Sequence, residues 1–154
     1  EKITLYKMND RSPISYEDIL ECTNISMETK LEEIIDTVCS GNTNYLGSLL
    51  KKLTATGQNP TSICIGVVRH FRNLHILASQ PSKIEVSLLK IRPPIFGVRR
   101  NKLISNSKKW GIKRLERAIQ ILMETDLRLR SSKLDPKSAL MERALIKISM
   151  MVSK

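Results

Sequence analysis

Apolar residues recur along this chain at helical spacing, in blocks separated by short polar breakers. No stretch alternates apolar and polar residues long enough to predict a strand. Leu31, Ile34, Ile35 and Val38 fall at i, i+3, i+4 and i+7 and predict one buried face on a helix from about Met27 to Cys39. Ser26 is its expected cap and Gly41 its expected end. Leu46, Leu49, Leu50 and Leu53 form the stripe of a second helix over about Thr43 to Thr56, closed by Gly57. Asn59-Pro60 is a cap-plus-proline start for a third, reaching about Ser79 before Pro81. That helix is apolar over much of its surface (Ile63, Cys64, Ile65, Val67, Val68, Phe71, Leu74, Leu77), which predicts a central place in a bundle.

Beyond it, a short helix over Ile84 to Leu89 stops at Arg92-Pro93-Pro94. Another begins near Ile95 and runs to about Ile104. A long helix from about Lys109 to Arg130 carries Ile112, Leu115, Ala118, Ile119 and Leu122 as its apolar face. Asp135-Pro136 opens the last helix, with Leu140, Met141, Ala144, Leu145 and Ile148 on one side. At the other end of the chain, Glu1 to about Met8 reads as the tail of a helix. Asn9 to Pro13 reads as a turn, and a short helix is expected from Tyr16 to Cys22, capped by Ser15. The fold class is therefore all-α, a helical bundle.

With 154 residues the chain is long enough to bury a true core. Only 4% are aromatic, so Leu, Ile, Val and Met must fill it. No apolar run reaches the length of a membrane span. The chain starts at Glu1 rather than Met, and a piece of a longer protein is expected. Cys22, Cys39 and Cys64 are odd in number and form no C-x-x-C pair, as expected of reduced thiols.

Charge changes this picture more than composition does. The formal net charge of +11 is uneven. Residues 1–58 hold six basic and nine acidic side chains, whereas residues 59–154 hold 20 basic and six acidic. Such a split predicts an acidic partner for the second part, either nucleic acid or an acidic protein face. The densest stretch runs from Arg99 to Arg117: Arg99, Arg100, Lys102, Lys108, Lys109, Lys113, Arg114 and Arg117 stand against Glu116 alone, with Trp110 among them. One reading is phosphate contact with base stacking on Trp110. The other is a solvated face of two amphipathic helices with Trp110 anchored in the core.

Catalytic motifs do not emerge. There is no phosphate-binding G-x-x-x-x-G-K-[ST] loop, no G-x-G-x-x-G and no G-x-S-x-G elbow. His70 and His75 are five apart and diverge on a helix, so no paired metal site is expected. Glu124 and Asp126 also diverge, which disfavours carboxylate acid–base chemistry. No cofactor is expected. Asp126 lies seven residues after Ile119, towards the expected apolar side, and needs a partner there, for which an arginine of this chain or of a neighbouring subunit is the natural choice.

Four stretches together resemble the C-terminal part of the delta subunit of bacterial DNA polymerase III, a component of the clamp loader. Ser12-Pro13-Ile14-Ser15-Tyr16-Glu17-Asp18-Ile19 resembles the family's I-T-x-E-D-V helix start. Leu49-Leu50-Lys51-Lys52-Leu53, Gly57 and Asn59-Pro60 resemble L-L-x-x-L…G-x-x-P. Val68-Arg69-His70-Phe71-Arg72-Asn73-Leu74 resembles L-x-R-Q-F-R-x-L. Leu115-Glu116-Arg117-Ala118-Ile119, with Glu124 to Arg130, resembles L-x-x-A-L…x-x-D-x-x-L-K. The chain departs from that pattern at Arg130, where the family usually has lysine, and at His70, where glutamine is common.

The resemblance implies residues 1–24 as the remnant of an ATPase-like helical lid domain and 25–154 as a helical collar domain. That domain joins delta to loader subunits of the gamma/tau and delta-prime type in the bacterial cytoplasm, and it is not itself catalytic although the parent holoenzyme is a DNA-directed DNA polymerase. The sliding clamp would be gripped only by an N-terminal domain outside this chain. Candidate contacts to other loader proteins or to DNA are Arg69, Arg72, Arg99, Arg100, Lys108, Lys109, Lys113, Arg114, Asp126 and Arg130.

Overall fold

The computed structural model describes Pro13 and residues 25–55, 57–131 and 136–152, with side chains throughout these ranges except at 25–28 and 54–55. Six α-helices and no strand occur among the described residues: α1 Ile25–Ser40, α2 Thr43–Ala55, α3 Pro60–Ser79, α4 Ile84–Leu89, α5 Gly97–Ser131 and α6 Lys137–Ser149. A 3₁₀ turn, Pro81–Lys83, precedes α4. The all-α expectation holds. The chain divides into two compact units, Glu1–Glu33 and Ile34–Lys154. In the first, residues 25–33 are helical; the expected helices over Glu1 to Met8 and Tyr16 to Cys22 lie outside the described residues.

The breakers act largely as their chemistry dictates. Gly41 and Gly57 follow α1 and α2 with φ of 84° and 72°, in the left-handed region that glycine enters without a Cβ clash. Asn59 caps α3: its Oδ1 accepts a 2.9 Å hydrogen bond from the Thr61 N–H, and Pro60 occupies the first turn. Two starts differ from expectation. α1 begins at Ile25, so Ser26 falls inside the first turn instead of ahead of it. α6 begins at Lys137, with Pro136 itself at the cap position and Asp135 outside the described residues.

In the second unit, α3 packs most extensively on α5 and also meets α4 and α6, while α2 lies on α6. The core is aliphatic, built from Ile34 and Val38 of α1, the four leucines of α2, Cys64, Val67, Leu74 and Leu77 of α3, and Met141, Leu145 and Ile148 of α6. Its centre is aromatic. Phe71 and Trp110 meet edge to face, with ring centroids 4.9 Å apart and planes at 89°.

The long segment after Pro94 departs most from the sequence reading. A break was expected after Ile104, but the helix continues to Trp110 and is interrupted at Gly111, at φ 68° and ψ 161°. In an unbroken helix Leu115 would sit about 140° round the axis from Trp110, because each residue turns about 100°. The Gly111 break brings the stripe Leu103–Ser107–Trp110 and the stripe Leu115–Ala118–Leu122–Thr125–Leu129 to one core. It also rotates the second arm away from the expected face. Ile112 is exposed and Ile119 half-buried, whereas Ile121, Thr125 and Leu129 are buried. Thr125 is accommodated there because its hydroxyl donates to the Ile121 carbonyl at 2.7 Å.

Candidate functional site

The fold separates the charged residues that the sequence places together. In the Arg99 to Arg117 stretch, several cations are tied inside the protein. The Arg100 guanidinium binds the Glu85 carboxylate on α4. The Lys102 ammonium binds Asp36 on α1. Lys109 Nζ donates to the Cys39 carbonyl at 3.4 Å, placing a cation against the C-terminal end of α1, where the helix dipole is negative. Arg117 donates to Gln120 Oε1 at 2.9 Å, and Arg99 is exposed. Lys108, Lys113 and Arg114 remain. They flank Gly111, are exposed, and have no ion-pair partner among the described residues. Trp110 is 2% exposed against Phe71, so its ring is a core anchor and offers no stacking platform.

A second site gathers four of the expected contact residues. Arg69 and Arg72 on α3 and Asp126 and Arg130 on α5 line one open groove of about 630 Å³. The same wall of α3 supplies Ile65, Val68, Asn73 and Ile76. These positions follow helical spacing on the face beside the buried Cys64–Val67–Phe71–Leu74 stripe. They account for the apolar excess of α3: one apolar face fills the core and a second floors the groove. The chain returning after α4 closes the groove with Lys90, Ile91 and Arg92. Nothing in the spacing of the α3 or α5 residues points to Lys90 and Arg92. The only signal for them is that two cations precede the Pro93-Pro94 stop.

Asp126 is 28% exposed and receives two 3.0 Å hydrogen bonds from Arg130 Nε, one to each carboxylate oxygen. The expected arginine partner is thus one turn away on the same helix, and Asp126 sits at the edge of the core, not within it, because the buried stripe runs through Thr125 and Leu129. Arg92 is held by the Leu89 carbonyl at 2.8 Å and the Ile91 carbonyl at 3.3 Å. The side chains of Arg69, Arg72 and Lys90 are exposed, with no hydrogen-bond or ion-pair partner among the described residues. The groove therefore carries five cations against one carboxylate, and that carboxylate is already paired.

The remaining reactive groups among the described residues are built into packing. The Cys39 thiol is pushed up to about 12, by burial first and by nearby Asp36 second. The Cys64 thiol is pushed up to about 11, again chiefly by burial. Both are free, buried and held as thiols, the poorly nucleophilic form. His70 lies 3.9 Å from Cys39 Sγ, and burial lowers its pKa to about 4 despite Asp36. His75 faces Glu116 at 3.7 Å instead of His70. Among the described residues no group of three His, Cys, Asp or Glu side chains is placed to hold a metal, and no helix is long and apolar enough to cross a membrane.

A protein-family model described as the DNA polymerase III delta subunit, C-terminal domain, matches residues 28–148. No curated protein and no solved structure matches the chain.

Proposed function

Because the chain belongs to the family of C-terminal domains of DNA polymerase III delta subunits, we propose that it is a non-catalytic assembly domain of a clamp loader. It joins delta to neighbouring loader subunits of the gamma/tau and delta-prime type so that a sliding clamp can be loaded during bacterial DNA replication. The observation that carries this reading is the family match across 28–148, which covers α2 to α5 and most of α1 and α6. The surface is consistent with it. Val86, Leu89, Phe96 and Val98 are each at least half exposed within a short length of chain, a local density of apolar surface suited to burial against a neighbouring protein. In this reading residues 1–24 are the end of a lid domain and 25–154 the collar, and the protein works in the cytoplasm. The test is co-elution of the chain with the other loader subunits on size exclusion. A stable complex supports assembly; separate elution at micromolar concentration refutes it.

A second reading, nucleic-acid binding, is favoured by Lys108, Lys113 and Arg114, which are exposed and unpaired among the described residues. It requires DNA affinity that falls steeply with salt, since each neutralised phosphate releases counterions. A mobility shift unchanged by Lys108→Ala, Lys113→Ala and Arg114→Ala together would remove it.

A further inference from the structure

The groove between α3 and the second arm of α5 has a chemistry that the assembly reading does not specify. Its cationic rim and its aliphatic floor occur in the same cleft. Arg69 and Arg72 are one helical turn apart on α3, and Lys90 reaches the cleft from the loop after α4. All three side chains are exposed, and none has a partner among the described residues. Beneath them are Ile65, which is 42% exposed, and the half-buried Val68 and Ile76. An isoleucine that open to water gains free energy when covered.

We propose that this groove receives an acidic segment of a partner protein. Carboxylates of that segment engage Arg69, Arg72 and Lys90, and an aliphatic side chain covers Ile65, Val68 and Ile76. Charge complementarity sets the sign of the occupant, since the cations exceed the single, already paired carboxylate. The floor sets its class. A phosphodiester backbone gains nothing from three aliphatic side chains. A peptide uses both features, and its N–H groups find an acceptor in Asp126. The proposal deepens the assembly reading and rests on it for the partner being another protein of the loader.

The test has two arms, both on the full chain. In the first, fluorescence anisotropy measures binding of a labelled peptide repeating Glu-Glu-Ile-Leu, of its Gln-for-Glu counterpart, and of a labelled oligothymidine. Binding of the Glu peptide, at least about tenfold weaker with Arg69→Glu/Arg72→Glu and unchanged with Lys108→Glu/Lys113→Glu/Arg114→Glu, supports the groove. Equal binding of the Glu and Gln peptides overturns it. So does an oligothymidine that binds wild type more tightly and loses affinity with the Arg69 and Arg72 changes. The substituted side chains are exposed, and circular dichroism checks folding; Arg72→Gln/Lys90→Gln gives a milder variant with the same expected direction.

In the second arm, wild type and the Arg69→Glu/Arg72→Glu variant are each mixed with the other loader subunits. Co-elution of wild type with clear loss for the variant supports the groove as an interface within the loader. Equal co-elution of both overturns the groove and leaves assembly standing. Failure of wild type to co-elute, with groove-dependent peptide binding intact, overturns assembly and leaves an acidic-segment site.

Discussion

Gly111→Ala is the sharpest probe of how this chain builds its core. Gly111 has φ 68° and ψ 161°, and a Cβ added there meets nothing within 4 Å. Collision with neighbours therefore contributes nothing, and the cost is confined to the backbone. An L-residue in this region costs about 1–3 kcal/mol. The alternative is for α5 to straighten. Alanine would then gain about 1 kcal/mol of helix propensity over glycine. Straightening would also turn the Trp110 and Leu115 stripes about 140° apart. One of those side chains would leave the core, at about 1.5–3 kcal/mol, with more lost from the residues stacked behind it. Either route leaves the variant less stable by about 1–3 kcal/mol. For a chain of this size each kcal/mol lowers Tm by roughly 2–4 °C. Thermal and urea unfolding followed by circular dichroism provide the assay. A D-alanine at the same position, introduced by chemical ligation, is the control. Its preferred φ is positive, so it should stabilise by about 0.4–1 kcal/mol by narrowing the unfolded ensemble. An L-alanine variant as stable as wild type would refute the requirement for a broken helix.

Three further perturbations test other layers of the fold. Phe71→Ala removes a fully buried ring and its edge-to-face contact with Trp110, and urea unfolding should register a loss of about 3–5 kcal/mol. Asn59→Ala deletes the side-chain cap of α3; the same measurement should show a loss of about 0.5–2 kcal/mol, with no change in helix content by circular dichroism. The pKa of His70 is lowered by burial to about 4 from an ordinary 6.5, with Asp36 and Cys39 facing the ring. The unfolded chain therefore binds the proton first as pH falls. Stability should be complete above about 6.5 and decline towards about 4, by no more than about 1.4 kcal/mol per pH unit from this group. His70→Gln should flatten that slope, and an unchanged slope would show that other groups set it.

Between 40 and 89 the helix boundaries were legible because local chemistry decides them. Gly41, Gly57, Asn59-Pro60 and Pro81 each act through their own backbone, and tertiary packing only confirms the result. The segment from 97 to 131 was less legible. Ser105 to Lys108 has the polarity of a linker yet stays helical, since Ser107 is buried and bonds the Ile104 carbonyl at 2.8 Å. Gly111 has the appearance of a tolerated helix glycine yet carries the break, because the phase between two buried stripes is a property of the folded core. The consequence for Ile112 and Asp126 could not be read from periodicity alone. The candidate site divides in the same way. Arg69 and Arg72 share a helix face by spacing, whereas Lys90 and Arg92 join them only because the chain returns after α4. Lys102 and Lys109 are neighbours in a basic run, but each is bound to α1 across more than sixty residues of chain.

The measurement that bears most directly on the assembly role is sedimentation velocity of the chain mixed with the other loader subunits, alone and with an oligonucleotide. Assembly predicts a faster-sedimenting complex that forms without DNA and contains the chain in fixed stoichiometry. A chain that sediments alone beside the assembled remainder, or that joins heavier species only through DNA, would contradict it.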